Sequence, residues 1–236
     1  MKAAAVFVVV LAVLWGYTHH AKAVNEHHLA TVARDVAGRD VAVHCQGLFA
    51  NLVDVDSRSG SVHWDVDGPG EVIFLTRDTC RHLQKFWQSR SHAAVDCLLD
   101  LEAEKRVPAR SASPAAAGEC AKRAEGDVFA ILTLAHESYH RAGVRDEGIT
   151  NCYAIQAMAY TAVRLGAQPS EGRALARFML ALLPYQPGDY AAKGCYAGGP
   201  LDLHPETPEF PTEHDIAPPE GLGAADAARE ASETAG

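Results

Sequence analysis

From Val128 to His140 the chain reads Val-Phe-Ala-Ile-Leu-Thr-Leu-Ala-His-Glu-Ser-Tyr-His, and no other stretch restricts the fold as much. Val128, Phe129, Ile131, Leu132, Leu134 and Ala135 form the apolar stripe of a helix that Asp127 is placed to cap and Gly143 to end. At 3.6 residues per turn His136 and His140 stand one turn apart on one face, with Glu137 beside them. Two imidazoles so placed can share a tetrahedral ion, and the carboxylate can reach a water on it.

Composition alone would give H-E-x-x-H in about 4% of chains this rich in His and Glu, so the setting has to carry the reading. A purely structural helix would place leucine where this one places two histidines and an acid. Zinc takes neutral imidazole nitrogen, fills a tetrahedron with three protein ligands and leaves one position open, and an adjacent acid then serves as general base. A third ligand is therefore expected, and past the Gly143 turn both Asp146 and Glu147 are available. A second helix follows them through Ile149, Cys152, Tyr153, Ile155, Met158, Tyr160 and Val163 to Gly166.

The segment Glu147-Gly148-Ile149-Thr150-Asn151-Cys152-Tyr153-Ala154 resembles the E-x-x-A-N-x-F-A segment that follows H-E-x-x-H in short gluzincins of the ImmA/IrrE and HtpX types. Thr150 stands where those families have alanine, and the stretch between His140 and Glu147 is shorter than in many of them. The resemblance covers about residues 127–160 and implies a zincin-like domain, zinc held by His136, His140 and Glu147, and Glu137 as the catalytic base. A competing similarity, to the metzincin pattern His136-Glu137-x-x-His140-x-x-Gly143-x-x-Asp146, would make Asp146 the third ligand. Met158, however, falls in a helical stretch where metzincins need a turn, and Asp146 is also a good helix cap. Asn151, one turn after Glu147, is placed either to support a ligand or to face solvent.

The amino-terminal segment sets the compartment. Met1-Lys2, the fifteen apolar residues Ala3 to Tyr17 and the small-x-small triplet Ala21-Lys22-Ala23 read as a signal peptide, 1–23, cleaved after Ala23. Fifteen residues are fewer than the roughly 20 needed to span a membrane, so a membrane anchor through 3–17 is the lesser alternative. All six cysteines follow this segment, and three disulfides are expected in an exported, secreted or otherwise extracytoplasmic chain. Fifteen pairings are open; chain order favours Cys45–Cys80, Cys97–Cys120 and Cys152–Cys195, and the last makes Cys152 structural rather than a reactive thiol. Loss of Lys2 and Lys22 with the leader takes the formal charge from −9 to −11. That charge argues against a nucleic-acid partner, and against a membrane partner unless the leader is retained.

Elsewhere the periodicities are plainer. Asn25 can cap a short helix through Leu29, Val32 and Val36, and Val41–Val43, Leu48–Val53, Ser61–Trp64 and Val72–Leu75 read as strands of a small, mostly antiparallel sheet. The Val72–Leu75 strand is expected as an edge beside the metal, able to hold an extended peptide. Asp78 is a possible cap for helical patterns through Leu83, Phe86 and Trp87 and then Val95, Leu98, Leu99 and Leu101, which Pro108 stops. Residues 109–118 read as a surface connection, and Pro169-Ser170-Glu171 opens a last helix that Pro184 closes. The domain is expected over 24–205, and 206–236 as an acidic Pro/Ala-rich disordered tail.

The scattered histidines His27, His28, His63, His82 and His92 are expected to carry no chemistry, and Tyr139 to be packing. Tyr153, Tyr190 and His204 are candidate donors to an oxyanion. No G-x-S-x-G, phosphate-binding loop or dinucleotide turn is present, which leaves serine-hydrolase and nucleotide readings without support. The expectation is thus a helix-dominated α+β protein: an exported zinc-dependent metallopeptidase acting on a peptide or protein substrate. A disulfide-stapled exported binding protein with a structural or vestigial zinc site is the alternative.

Overall fold

The computed structural model describes residues 2–47, 59–66, 68–89, 91–105 and 114–211. Six helices carry most of these: α1 (Lys2–Ala37), α2 (Arg77–Gln88), α3 (Ala93–Lys105), α4 (Pro114–Ala142), α5 (Glu147–Arg164) and α6 (Pro169–Leu182). Three strands, β1 (Ala42–Cys45), β2 (Gly60–Asp65) and β3 (Gly68–Leu75), form a sheet in the order β1-β3-β2. The class is α+β, dominated by helix.

The sheet is mixed and not antiparallel throughout. β2 and β3 pair antiparallel, with Ser61 opposite Phe74, but β1 and β3 run parallel, with Val43 opposite Ile73. The chain leaves β1, forms β2 at the far edge and returns through a tight turn to lay β3 in the middle. The Val72–Leu75 strand is therefore central, and among the described residues β1 and β2 are the edges, β1 packed on α1 and β2 on α4. The Leu48–Val53 strand expected from sequence lies outside the described residues.

Helix α4 is the spine: α1, α2, α3, α5, β2 and β3 all pack on it. Ile131, Leu134 and Tyr139 of α4 are fully buried, as are Ile155 and Met158 of α5 and Leu175 and Met179 of α6. Each such side chain stabilises the fold by roughly 1.5–3 kcal/mol relative to an exposed one. The buried positions of α5 extend around the helix, because α4 and α6 cover it from two sides.

Three expected caps are not caps. Thr76, rather than Asp78, accepts from the Thr79 amide at the start of α2. Asp127 lies inside α4, which begins instead at Pro114 and takes in residues 114–118 of the segment expected as a connection, 109–113 lying outside the described residues; alanine favours helix, and proline fits a first position. Asn25 likewise lies inside α1, which runs unbroken from Lys2 through Ala37. There its buried amide donates to Cys45 Sγ and accepts from Trp87 Nε1. Among the described residues no helix is long and apolar enough to cross a membrane.

The cysteines pair in chain order, Cys45–Cys80, Cys97–Cys120 and Cys152–Cys195, which suits an oxidising environment. The first joins β1 to α2, the second α3 to α4, and the third α5 to the segment after α6. That segment runs through two short 3-10 turns, Leu183–Tyr185 and Gly188–Tyr190. Residues 206–211 are described, and Phe210 packs against the core; 212–236, most of the expected tail, lie outside the described residues.

Candidate metal centre

The last turn of α4 and the first of α5 meet at a tight corner. Gly143, at φ +112°, ends α4 where a side chain would be strained, and the amides of Gly143 and Val144 return to the carbonyls of His140 and Tyr139. Asp146 Oδ1 then accepts from the Ile149 amide at 2.8 Å as the N-cap of α5. This spends Asp146 on the helix and leaves Glu147, the first residue of α5, facing back toward α4.

Both imidazoles converge on one oxygen of that residue. His136 Nε2 lies 2.9 Å and His140 Nε2 3.4 Å from Glu147 Oε2, and one ligand atom from each residue lies within 4.8 Å of the others. Metal–nitrogen bonds of about 2.0–2.1 Å in a tetrahedron set neighbouring ligand atoms about 3.3 Å apart. The observed spacing is of that size. His140 is also held in the tautomer a metal needs: its Nδ1–H donates to the Val144 carbonyl at 2.7 Å, which leaves Nε2 to offer a lone pair. Two imidazoles and a carboxylate so disposed can hold a divalent metal ion, and these three residues fit one.

The electrostatics differ between the two histidines. Burial lowers the pKa of His136, outweighing its bond to Glu147, and so keeps it neutral. For His140 burial acts in the same direction, but the hydrogen bond to Glu147, the charge of Glu137 and the Val144 carbonyl outweigh it and raise the pKa. Hydrogen bonds from both histidines hold the Glu147 carboxyl far below the usual range, despite partial burial.

Glu137 is buried at 5% exposure beneath the edge of the sheet. The inner face of β2 lies along this turn of α4: Gly60 stands against Thr133 and Glu137, and Trp64 turns its ring edge-on to His140, centroids 6.3 Å apart. A β-bulge between Val62 and Trp64 falls within the same stretch. Neither Gly60 nor Trp64 carries a sequence signal that connects it to the site, because the contact exists only once β2 is laid on α4.

The other side is closed by the segment after α6. The Tyr190 ring lies 5.8 Å from that of His136, and Asn151 donates to the Tyr190 carbonyl at 3.0 Å. Asn151, 2% exposed, is thus neither a solvent-facing residue nor a direct support for a ligand. Gln156, fully buried, accepts from the Leu203 amide and donates to the Leu201 carbonyl, and with Cys152–Cys195 it fastens the strap to α5. Of the other candidate donors, Tyr153 packs on Tyr139 in the core and His204 pairs with Glu206. His92, one of the scattered histidines, is buried: it stacks on Phe86 and hydrogen-bonds Glu171 at 3.0 Å. His82 pairs with Asp127.

Compared with protein-family models, curated protein sequences and solved structures, the chain matches none.

Proposed function

We propose that the protein is a zinc-dependent metallopeptidase of the gluzincin type, exported, with zinc held by His136, His140 and Glu147. The observation that carries this reading is the convergence of His136 Nε2 and His140 Nε2 on Glu147 Oε2 with the Glu137 carboxylate buried one residue away. Three protein ligands leave a fourth position open, as catalysis requires. Zinc bound there would supply Lewis acidity, polarising a carbonyl and making water nucleophilic near neutral pH.

The chain's own residues do the rest. Glu137 takes a proton from the attacking water and passes it to the leaving nitrogen, so the amide bond breaks without a free strong base or acid. Gly60, on the sheet side, leaves the space that this side chain fills. The edge of β2, beside Glu137 and His140, is the surface along which an extended peptide would lie. A closed structural site, as in the alternative of a stapled binding protein, would require Asp146 as a fourth ligand, and its carboxylate is engaged at the N-terminus of α5.

The test is elemental analysis of the purified chain together with His136→Ala, Glu147→Ala and Glu137→Gln variants. One zinc per chain, lost in the first two and kept in the third, is the expected result, with peptide hydrolysis abolished in all three. A wild type that takes up no zinc, or a Glu137→Gln variant that cleaves at the wild-type rate, refutes the proposal.

A further inference from the structure

Arg145 stands on the corner between the two helices that carry the metal ligands. The corner is held on both sides of it, by the Val144 carbonyl bonded to His140 and by the Asp146 cap of α5. The side chain is exposed, yet it is not loose: its guanidinium carbon lies 5.3 Å from the centroid of the Trp64 ring, and Trp64 in turn stands edge-on to His140. Stacking on an indole leaves the hydrogen-bonding edge of a guanidinium open to a ligand.

The neighbouring carboxylates do not use it. Asp146 is committed to the Ile149 amide and Glu147 to the two histidines, and Arg145 forms no ion pair among the described residues. Other arginines do have anionic or carbonyl partners: Arg34 pairs with Asp40, Arg81 with Asp78, Arg164 with Asp35, and Arg141 donates to the carbonyls of Asp40 and Pro69. In a chain of formal charge −9, an oriented cation beside the metal centre without an acidic partner points to an anion brought from outside. The two ring contacts, 5.3 Å and 6.3 Å, put the guanidinium within about 12 Å of the His140 ring, three to four residues of an extended peptide at ~3.3 Å each.

We propose that Arg145, stacked on Trp64, recognises a substrate carboxylate and biases the site toward peptides that carry one close to the scissile bond. This rests on the metallopeptidase reading and specifies its substrate class. The carboxylate has two sources, a peptide C-terminus or an acidic side chain, and a guanidinium fork accepts either through paired N–H···O bonds.

The experiment measures binding to the zinc-loaded full chain by titration calorimetry, using three hydroxamates built on one Leu-Ala dipeptide. One has a free C-terminal carboxylate, one is amidated, and one is amidated with glutamate in place of alanine. The expected result is a preference of about tenfold for a carboxylate-bearing probe over the neutral amide, the size of one charge-assisted contact. That ratio should fall to about one in Arg145→Ala and invert in Arg145→Glu. Preference for the free terminus assigns a carboxypeptidase-like substrate, and preference for the glutamate probe assigns an internal acidic residue. Equal binding of all three by the wild type, or a ratio unchanged in Arg145→Ala, overturns the role of Arg145 while leaving the metal site intact. Failure of every hydroxamate to bind overturns the metallopeptidase reading and this inference with it. A purely structural arginine would lower the unfolding temperature without moving the ratio.

Discussion

Gly60 leaves the space that the Glu137 side chain occupies: a Cβ built on Gly60 would come within 2.9 Å of Glu137 Cγ and 3.1 Å of its Oε1. It would also meet Thr133 Cγ2 at 2.8 Å, so the carboxylate cannot be pushed aside without disturbing a second side chain. On the proposed metallopeptidase reading, Gly60→Ala is expected to bind zinc as the wild type does, because none of the three ligands is touched, and to lose about a hundredfold in kcat, the cost of misplacing a catalytic group by about an ångström. Elemental analysis alongside peptide hydrolysis checks this. Full activity would mean that Glu137 tolerates displacement and is not the base.

Asn151 should matter for order beside the metal rather than for the metal itself. Its amide is buried and bonded to the Tyr190 carbonyl, so Asn151→Ala leaves that carbonyl without its partner, at a cost of about 1–2 kcal/mol. Hydrogen exchange should quicken at the Tyr190 and Ala191 amides, which close the local 3-10 turn onto Pro187 and Gly188. The amides of α4 should keep their protection. Uniform loss of protection across the chain would show that Asn151 supports the whole fold.

How far these relations could be read from sequence depends on how local they are. The positions of His136, Glu137 and His140 follow from helical spacing, and Asp146 and Glu147 come six and seven residues after His140, so the cluster was visible in a single stretch of chain. The disulfides could be read because each closes a neighbouring unit, with separations of 35, 23 and 43 residues. Gly60, Trp64 and Arg145 could not, since their meaning depends on an edge strand laid across α4 from about seventy residues away. The parallel pairing of β1 with β3 was hidden for the same reason: period-two alternation marks a strand without naming its neighbour. Asn25 and Asp127 misled because good capping residues are also good hydrogen-bonding residues, and tertiary partners, Trp87 and His82, claimed them.

His92 and Glu171 make a buried contact that links the start of α3 to the start of α6. Glu171 Oε2 accepts from His92 and also from the Gln168 amide at 2.6 Å, so one carboxylate serves an inter-helix bond and a cap. Glu171→Ala removes both and leaves the buried imidazole with the Phe86 carbonyl alone, which is expected to cost about 3 kcal/mol. Glu171→Gln keeps an acceptor oxygen and should cost less. Urea unfolding of the two variants gives the comparison, and equal midpoints for Ala and wild type would show that the pair contributes nothing net.

With zinc held as proposed, its affinity should depend on pH through one histidine more than the other. A metal takes the neutral ring, and His136, its pKa lowered by burial, and Glu147, its pKa lowered by two hydrogen bonds, are already in binding form at neutral pH. His140 is the last to lose its proton, because Glu147, Glu137 and the Val144 carbonyl outweigh burial and lift its pKa above 6.5. Below that pKa each zinc must displace a proton, so the logarithm of the affinity should climb by about one per pH unit and level off above it. Glu137→Gln removes one of the charges that raise the pKa, and the climb should then move to lower pH with the ligand set unchanged. Competition against a chelator across the pH range measures both curves. A wild-type plateau already reached below 6.5, or a climb that moves upward in Glu137→Gln, would show that His140 does not control uptake.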